Sequence, residues 1–568
     1  MPLGLPALLT ALPRLLLYGL SGLGAVLVVA LVIYPSLTLI WNSASADGAF
    51  TLQHYADTLT ASALNTLGRT LLVSLTATLG ATSLGVLLAW LMERVSLPLR
   101  RLWETLLIIP YLIPPFIGAI AWVYLLGPVG YVNRFWMQLT GTREPLFVIY
   151  GPVGIVLVMI LYSYPIAYLV VRAPIRQISG ALEEAARMSG ARPWQVLRHI
   201  TLPLLLPNIG AAALLVFMAA MSNFGIPAVI GFPARYFVLT NEIYQIILNF
   251  GRPYNLQLAA ALSMQLVGVS LLGLWMLQRL QARASFVTVT GKASPALPLE
   301  IGRWRWAALG LVLLVIAVAV AAPLLAILAT AISRAPGVPL TWETATLNHF
   351  QTVFTGIPKV GRAITNSLIL ATSAATLIML LSLPLAGVIV RARLPGRTLL
   401  DALINLPYAL PGTVVALAMI LAFIQPLPIL NVVLYNTPWI LLVAYVSSFL
   451  AFGVRAVSAA LRSLDPALEE AARISGADAL RAFRDVAVPL LRGSLVAAWF
   501  LAFMPALTEL TLSALLFSVG SETIGQVVFG LYQEGRFNLT AALAFSITLG
   551  VLLLSALINR LTGARAAP

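Results

Sequence analysis

The stretch LEEAARMSGARPWQVLRHITLPLLLP, residues 182–207, sets acids, arginines and prolines between two long apolar runs, and it returns as LEEAARISGADALRAFRDVAVPLL at residues 468–491. The offset is 286 residues, and the register extends beyond the motif. Ser179 matches Asp465, Glu184 matches Glu470, Gly190 matches Gly476, Pro203 matches Pro489 and Met218 matches Met504. Further echoes flank this block: Asn65-Thr66-Leu67 answers Asn366-Ser367-Leu368, Pro110-Tyr111 answers Pro407-Tyr408, His54 answers His349, and Gly251-Arg252 answers Gly535-Arg536. One chain therefore carries two copies of one unit, residues 1–277 and 306–568, joined by the polar, proline-containing segment 278–305.

The surroundings of the motif are those of a protein whose solvent is lipid. The chain is 60% hydrophobic and 9% charged, with a mean hydropathy of +0.96, whereas a soluble domain carries roughly 25% charged residues. Twelve apolar runs are long enough to cross a bilayer core as helices: about 15–41, 63–91, 102–126, 147–171, 204–230, 257–277, 306–332, 363–390, 399–425, 438–457, 491–520 and 540–559. They are continuous rather than alternating, which predicts an all-α polytopic membrane protein and not a barrel. Six spans per copy make the repeats parallel, with a pseudo-twofold axis along the membrane normal. Ala44-Ser45-Ala46 looks like a signal-peptidase site, but the run before it is about twice the usual signal core, so it is read as a retained span.

The net charge is +15. With both termini cytoplasmic, 25 of the 34 basic residues fall on the inside, so the basic excess sets topology and does not indicate nucleic acid. No cysteine is present, which excludes disulfides and thiolate metal sites, and three histidines argue against a zinc site. A Walker A loop needs Gly-Lys-Ser/Thr in a fixed frame, and neither Lys292 nor Lys359 has it. The chain is read as not being an ATPase.

Each copy of the motif starts a helix cleanly. Ser179 and Asp465 are N-caps, Pro466 takes the first helical position, and Glu183-Glu184 and Glu469-Glu470 fall in the first turn, where acids suit the helix dipole. Ser-Gly-Ala at 189–191 and 475–477 then breaks the helix. A second amphipathic piece follows, with Trp194, Leu197 and Ile200 or Leu480, Phe483 and Val486, and Pro203 or Pro489 ends it. A helix lying on the membrane would need only amphipathicity. The same acids, glycine and small residues at fixed spacing, twice, call for a protein partner with two equivalent grooves.

The pattern E-A-A-x3-G-x9-I-x-L-P resembles the cytoplasmic loop of permease subunits of bacterial ABC importers, and the resemblance covers nearly the whole chain. The second copy departs from it with Val486 and Val488 at the two apolar positions. The resemblance implies a type I importer permease fold in the bacterial inner membrane. It makes the loop a coupling helix, and it carries ATPase contact onto Glu184, Ala185, Ala186, Gly190 and Ala191, and onto Glu470, Ala471, Ala472, Gly476 and Ala477. Its implied partners are a homodimer of ATPase subunits on the cytoplasmic side, which holds the ATP and Mg, an extracytoplasmic substrate-binding protein, and membrane lipids. No cofactor, metal or nucleic acid is expected on this chain. The single chain with two six-span halves and the segment TELTLSALLFSVGSETIGQVVF (508–529) look most like the ferric-iron group. Thiamine, 2-aminoethylphosphonate or a polyamine would suit the same architecture. A secondary transporter or membrane enzyme would carry more intramembrane ionisable groups.

One acid, Glu509, falls well inside an apolar span, and its counterpart in the first copy is Asn223. Charged groups in lipid are costly and mark pathways, so both are expected on the translocation path near the pseudo-twofold axis. Neighbouring hydroxyls at Thr508, Thr511 or Ser513 would be the alternative reason for the acid. Ferric iron prefers oxygen ligands, but one Glu is far from a site. Pro110, Pro114 and Pro115, like Pro407 and Pro411, mark kinks at matching places, and His54 and His349 are read as packing residues.

Overall fold

A computed structural model describes residues 22, 24, 26–178, 180–251, 253–284, 301–391, 396–427 and 431–561. Ser179, Arg252 and most of the joining segment lie outside these residues. Backbone in lipid must satisfy its own polar groups, and helices are the answer the chain adopts. Among the described residues, 11 helices are long and apolar enough to cross a membrane, or 12 when Arg397–Tyr408 and Gly412–Phe423, bent by 105°, count as one span.

Four expected spans prove to be broken rather than continuous. The run at 102–126 is Arg100–Leu112 followed by Pro115–Leu126, and the run at 399–425 is Arg397–Ala409 followed by Gly412–Phe423. Proline disfavours the α conformation in the residue before it, although Pro110 and Pro407 are accommodated within the helices. Ile113 (ψ 131°) and Leu410 (ψ 142°), each preceding a proline, are accordingly extended, so these prolines end helices instead of kinking them. The runs at 204–230 and 491–520 likewise divide into Leu202–Ser222 with Gly225–Ile230, and Val488–Leu507 with Thr511–Leu516.

The repeat is visible in matching helices. Ala61–Arg94 corresponds to Pro358–Arg391 at an offset of 297, and Pro152–Gln177 to Pro438–Ser463 at 286. One expected echo is corrected by a turn. The Leu239 amide donates to Thr70 Oγ1 (2.8 Å) and the Ile524 amide to Ser367 Oγ (2.9 Å), each opening a short helix. Thr70 and Ser367 are 297 apart, so Asn366 corresponds to Arg69 and not to Asn65. A four-residue slip keeps nearly the same helix face, which is why the similarity of the two tripeptides misleads.

The halves are interlocked. In each, the first helix packs on the other half: Tyr34–Ser43 on Gly412–Phe423, and Ala322–Ile332 on Pro115–Leu126. Tyr34 donates to the Ala422 carbonyl (3.1 Å), Ser447 to the Leu31 carbonyl (2.8 Å) and Tyr124 to the Phe537 carbonyl (2.8 Å). Within each half the long second helix packs on the fourth through small residues, as lipid-embedded helices do when their backbones approach closely. A Cβ on Gly85 would lie 2.7 Å from Ala167 Cβ, and one on Gly453 would lie 2.4 Å from Ser382 Oγ. Positions 85 and 382 correspond, as do 167 and 453. The two halves thus keep one close crossing with the glycine on opposite partners. Gly85→Val and Gly453→Val should each cost about 1–3 kcal/mol by overpacking, read as a lower unfolding midpoint of the purified protein. Gly68→Val, on the same helix as Gly85 with nothing within 4 Å of its Cβ, should leave the midpoint in place.

Candidate functional site

The duplicated motif folds as two matching hairpins at the same end of the bundle. Gly180–Met188 and Pro466–Ile474 are its first helices. Asp465 Oδ1 accepts from the Ala467 amide (2.9 Å), the cap expected for the second copy. Gly190 (φ +86°) and Gly476 (φ +92°) take the left-handed conformation that ends each helix. The amides of Ala191 and Ala477 then return to the carbonyls of Ala186 and Ala472, both at 3.0 Å. No heavy atom lies within 4 Å of a Cβ built on either glycine. Their requirement is therefore conformational, and other L residues would carry strain of roughly 1–2 kcal/mol. Each hairpin continues through a short second piece into a π turn, Leu197–Thr201 or Phe483–Ala487, and then the next span.

The paired acids divide between two roles that the sequence does not separate. Glu183 is buried and pairs with Arg94 (3.0 Å), the last residue of Ala61–Arg94, while Thr201 Oγ1 donates to the same carboxylate (3.1 Å). Arg94 also donates to the Ile175 carbonyl (3.3 Å), near the end of Pro152–Gln177. The second half repeats the device: Arg391 reaches Glu469 (3.4 Å) and the carbonyls of Leu461 (3.2 Å) and Leu464 (3.1 Å). Ala487 stands where Thr201 would be, so that donor is lost, and the pair is about one-quarter exposed against under one-tenth in the first half. Glu184 and Glu470 instead face outward, as do Ala185 and Ala471. Ala186, Ala191, Ala472 and Ala477 are half-buried. Beside the outward acids, Met188 is 90% exposed and Ile474 88%, at corresponding positions.

An ionic cluster near the first hairpin was not legible in the sequence. Glu93 accepts from Arg172 (2.5 Å), Arg100 (2.5 Å) and Arg176 (2.8 Å), and Arg172 also reaches Glu104 (2.6 Å). In the second half Glu93 is replaced by Val390 and Arg172 by Ser458.

Asn223 and Glu509 both sit at helix breaks. Asn223 Oδ1 accepts from the Ile226 amide (2.9 Å), and Glu509 Oε1 accepts from the corresponding amide of Leu512 (2.8 Å). Glu509 Oε2 accepts in addition from the Ser513 amide (2.9 Å) and hydroxyl (3.1 Å). The counterpart of Ser513 is Pro227, which has no amide hydrogen. Two oxygens therefore meet two amides where one oxygen meets one. Both side chains are partly exposed. His54 Nε2 donates to the Ser45 carbonyl (3.2 Å) and His349 Nε2 to the Ser333 carbonyl (3.0 Å), so both rings serve packing at matching loops.

The unequal anchoring of the hairpins has a measurable consequence. Glu183→Ala strips a buried ion pair of one member and should cost about 3–5 kcal/mol. Glu469→Ala removes a partly exposed one and should cost about 1 kcal/mol or less. Unfolding midpoints of the two variants check this, and equal losses would put the anchors on one footing.

Known proteins share this architecture. The model of the binding-protein-dependent transport system inner membrane component matches twice, at residues 81–286 and 378–564, more than half of the chain. A ferric transport system permease protein of Actinobacillus pleuropneumoniae is 27% identical over 466 residues, 81% of this chain and 66% of that protein. A putative ferric transport system permease protein of Haemophilus influenzae is 27% identical over 498 residues, 87% of this chain and 76% of its own length. A sulfate transport system permease protein of Salmonella typhimurium is 34% identical over 215 residues, 36% of this chain but 77% of that protein, so a single unit there answers to part of the chain here. With two matched domains, two sets of corresponding helices and two hairpins, the chain belongs to the binding-protein-dependent transport system inner membrane component family and has the type I importer permease fold.

Proposed function

We propose that this chain is the transmembrane subunit of an ATP-driven importer, with residues 1–277 and 306–568 as its two permease repeats. The two hairpins dock in grooves of an ATPase homodimer, which holds the ATP and Mg and does the hydrolysis. An extracytoplasmic binding protein delivers the cargo, and the distribution of basic residues puts both termini and the hairpins in the cytoplasm. The observation that carries the reading is the matched outward exposure of Glu184 with Met188 and of Glu470 with Ile474. An acid beside a large, unpartnered apolar side chain, repeated on rigidly capped helices, is what a partner groove requires. Ferric iron is the favoured cargo, on the strength of the two relatives that match over most of the chain.

Glu184→Ala combined with Glu470→Ala should leave the chain in the membrane and lower ATPase recovered on purification by about tenfold or more, the effect of losing ~1.4 kcal/mol of docking energy. Undiminished recovery would remove the hairpins from the interface. In cells carrying the binding protein and ATPase, radiolabelled ferric iron should accumulate and thiamine should not, and an ATPase-dead partner should abolish the signal. Thiamine uptake would replace the cargo and keep the architecture.

We read Asn223 and Glu509 as lying beside the translocation path. Phe224, next to Asn223, meets Phe529 of the other half at 6.1 Å between ring centroids, so the first break lies where the repeats face each other. The exchange Glu509→Asn, Ser513→Pro and Tyr445→Met copies Asn223, Pro227 and Met159 of the first half and restores a matched cap without a charge. If the carboxylate serves the cargo, this variant should assemble with its ATPase yet lose most uptake. Full uptake would make capping its whole role.

A further inference from the structure

The offset between corresponding helices falls from 297 at Pro115 and Gly412 to 286 at Pro152 and Pro438, so the first half holds 11 extra residues at the end of the bundle opposite the hairpins. They include the helix Tyr131–Thr140, and among the described residues no helix stands at the corresponding place in the second half.

This helix is pinned on one side. Asn133 is fully buried; its Nδ2 donates to the carbonyls of Gly127 (2.8 Å), Phe147 (2.7 Å) and Leu126 (3.2 Å), and its Oδ1 accepts from the Phe147 amide (3.2 Å). Thr330 Oγ1 donates to the Tyr131 hydroxyl (3.3 Å), and the Arg134 guanidinium lies 4.7 Å from the centre of the Tyr131 ring. Facing away from these anchors are Val132, Phe135, Trp136 and Leu139, with Phe135 66% and Leu139 70% exposed. Their spacing of three, four and seven places them in one stripe.

The anchors also fix the depth of the helix. Leu126 closes Pro115–Leu126, Thr330 lies in the last turn of Ala322–Ile332, and the chain re-enters the bundle at Pro152. Pro115–Leu126 and Tyr131–Thr140 together make one run of membrane-span length, so the helix forms the end of that run, beside the ends of two further membrane segments, with its apolar stripe turned away from the protein. A side chain in that position meets the boundary between lipid headgroups and acyl chains, where aromatic and aliphatic residues of amphipathic helices settle. We infer that Tyr131–Thr140 is an interfacial anchor, seating Phe135, Trp136 and Leu139 in the bilayer and fixing the depth of the first half.

The chain has no cysteine, so single labels are clean. Nitroxide labels on Phe135→Cys, Leu139→Cys and Thr142→Cys, the last in the adjoining exposed loop, would be read one at a time. The full chain would be held in nanodiscs of phosphatidylethanolamine and phosphatidylglycerol. Collisions with oxygen, which partitions into lipid, should exceed those with nickel ethylenediaminediacetate, which stays in water, by several-fold at 135 and 139, and the order should reverse at 142. Nickel accessibility at 135 and 139 equal to that at 142 would overturn the assignment. So would shielding of 135 and 139 that develops only when the substrate-binding protein is added, because the stripe would then be a protein dock. Both labelled positions are exposed, so neither substitution empties the core, and the result does not depend on which cargo is carried.

Discussion

A membrane-spanning helix ends with carbonyl groups that have no partner within the helix, at a depth where water is only beginning to be available. The chain meets this need twice with an arginine borrowed from a neighbouring helix. Arg94 and Arg391 each close the second helix of a half, donate to carbonyls at the end of the fourth, and hold the first acid of the hairpin. A guanidinium suits the task because its planar fork carries five donors and never loses its charge. One side chain thereby fixes two spans and a hairpin relative to one another, and the outward direction of Glu184 and Glu470 follows from the inward direction of Glu183 and Glu469.

Fusion of the two copies into one chain lets the halves diverge without breaking the plan. The close crossing of second and fourth helices survives with its glycine moved from position 85 to the partner position 453. What must be kept is the distance between backbones, and either helix can supply the missing side chain. The ionic cluster around Glu93 shows the opposite outcome. Three arginines compensate a carboxylate whose side chain is 4% exposed, and two of them also hold Glu104. In the second half Val390 and Ser458 dispense with the central pair. A buried ion pair is replaced by smaller neutral groups at little cost when both charges leave together, and here they have done so.

Much of this was legible in the sequence. Apolar runs long enough to span lipid gave the helices, the repeated motif gave the two halves, and the left-handed glycines followed from Ser-Gly-Ala after a helix. The breaks at Ile113 and Leu410 were present as Ile-Pro and Leu-Pro, but a run of apolar residues hides a break because lipid accepts both sides of it. Adjacent acids point about 100° apart on a helix, and only the packed partner, Arg94 or Arg391, tells which one turns inward. The helix at Tyr131–Thr140 falls between two of the long apolar runs, although Val132, Phe135, Trp136 and Leu139 carry its period. The Glu93 cluster joins residues from three helices, a juxtaposition that no local pattern encodes.

The hairpins and the helix breaks are connected by a single mechanical element in each half. Leu202–Ser222 has 21 residues and Val488–Leu507 has 20, so each runs without a chain break for about 30 Å at 1.5 Å per residue. Each begins at the π turn behind a hairpin and ends at Asn223 or Thr508, beside the capped break. Pro207 and Pro505 already lack an amide hydrogen within these helices, so bending is easiest there and costs more elsewhere, where lipid cannot replace a lost backbone hydrogen bond. At the break the orphan amides are already held by side chains, Asn223 in one half and Glu509 in the other, and a side-chain cap can tilt with the helix it serves. Each hairpin is thus joined to a helix break by one element, and the first break lies where Phe224 meets Phe529 across the two halves. The second hairpin hangs on the weaker arginine anchor, so the two joints between hairpin and span differ in how firmly they are fastened.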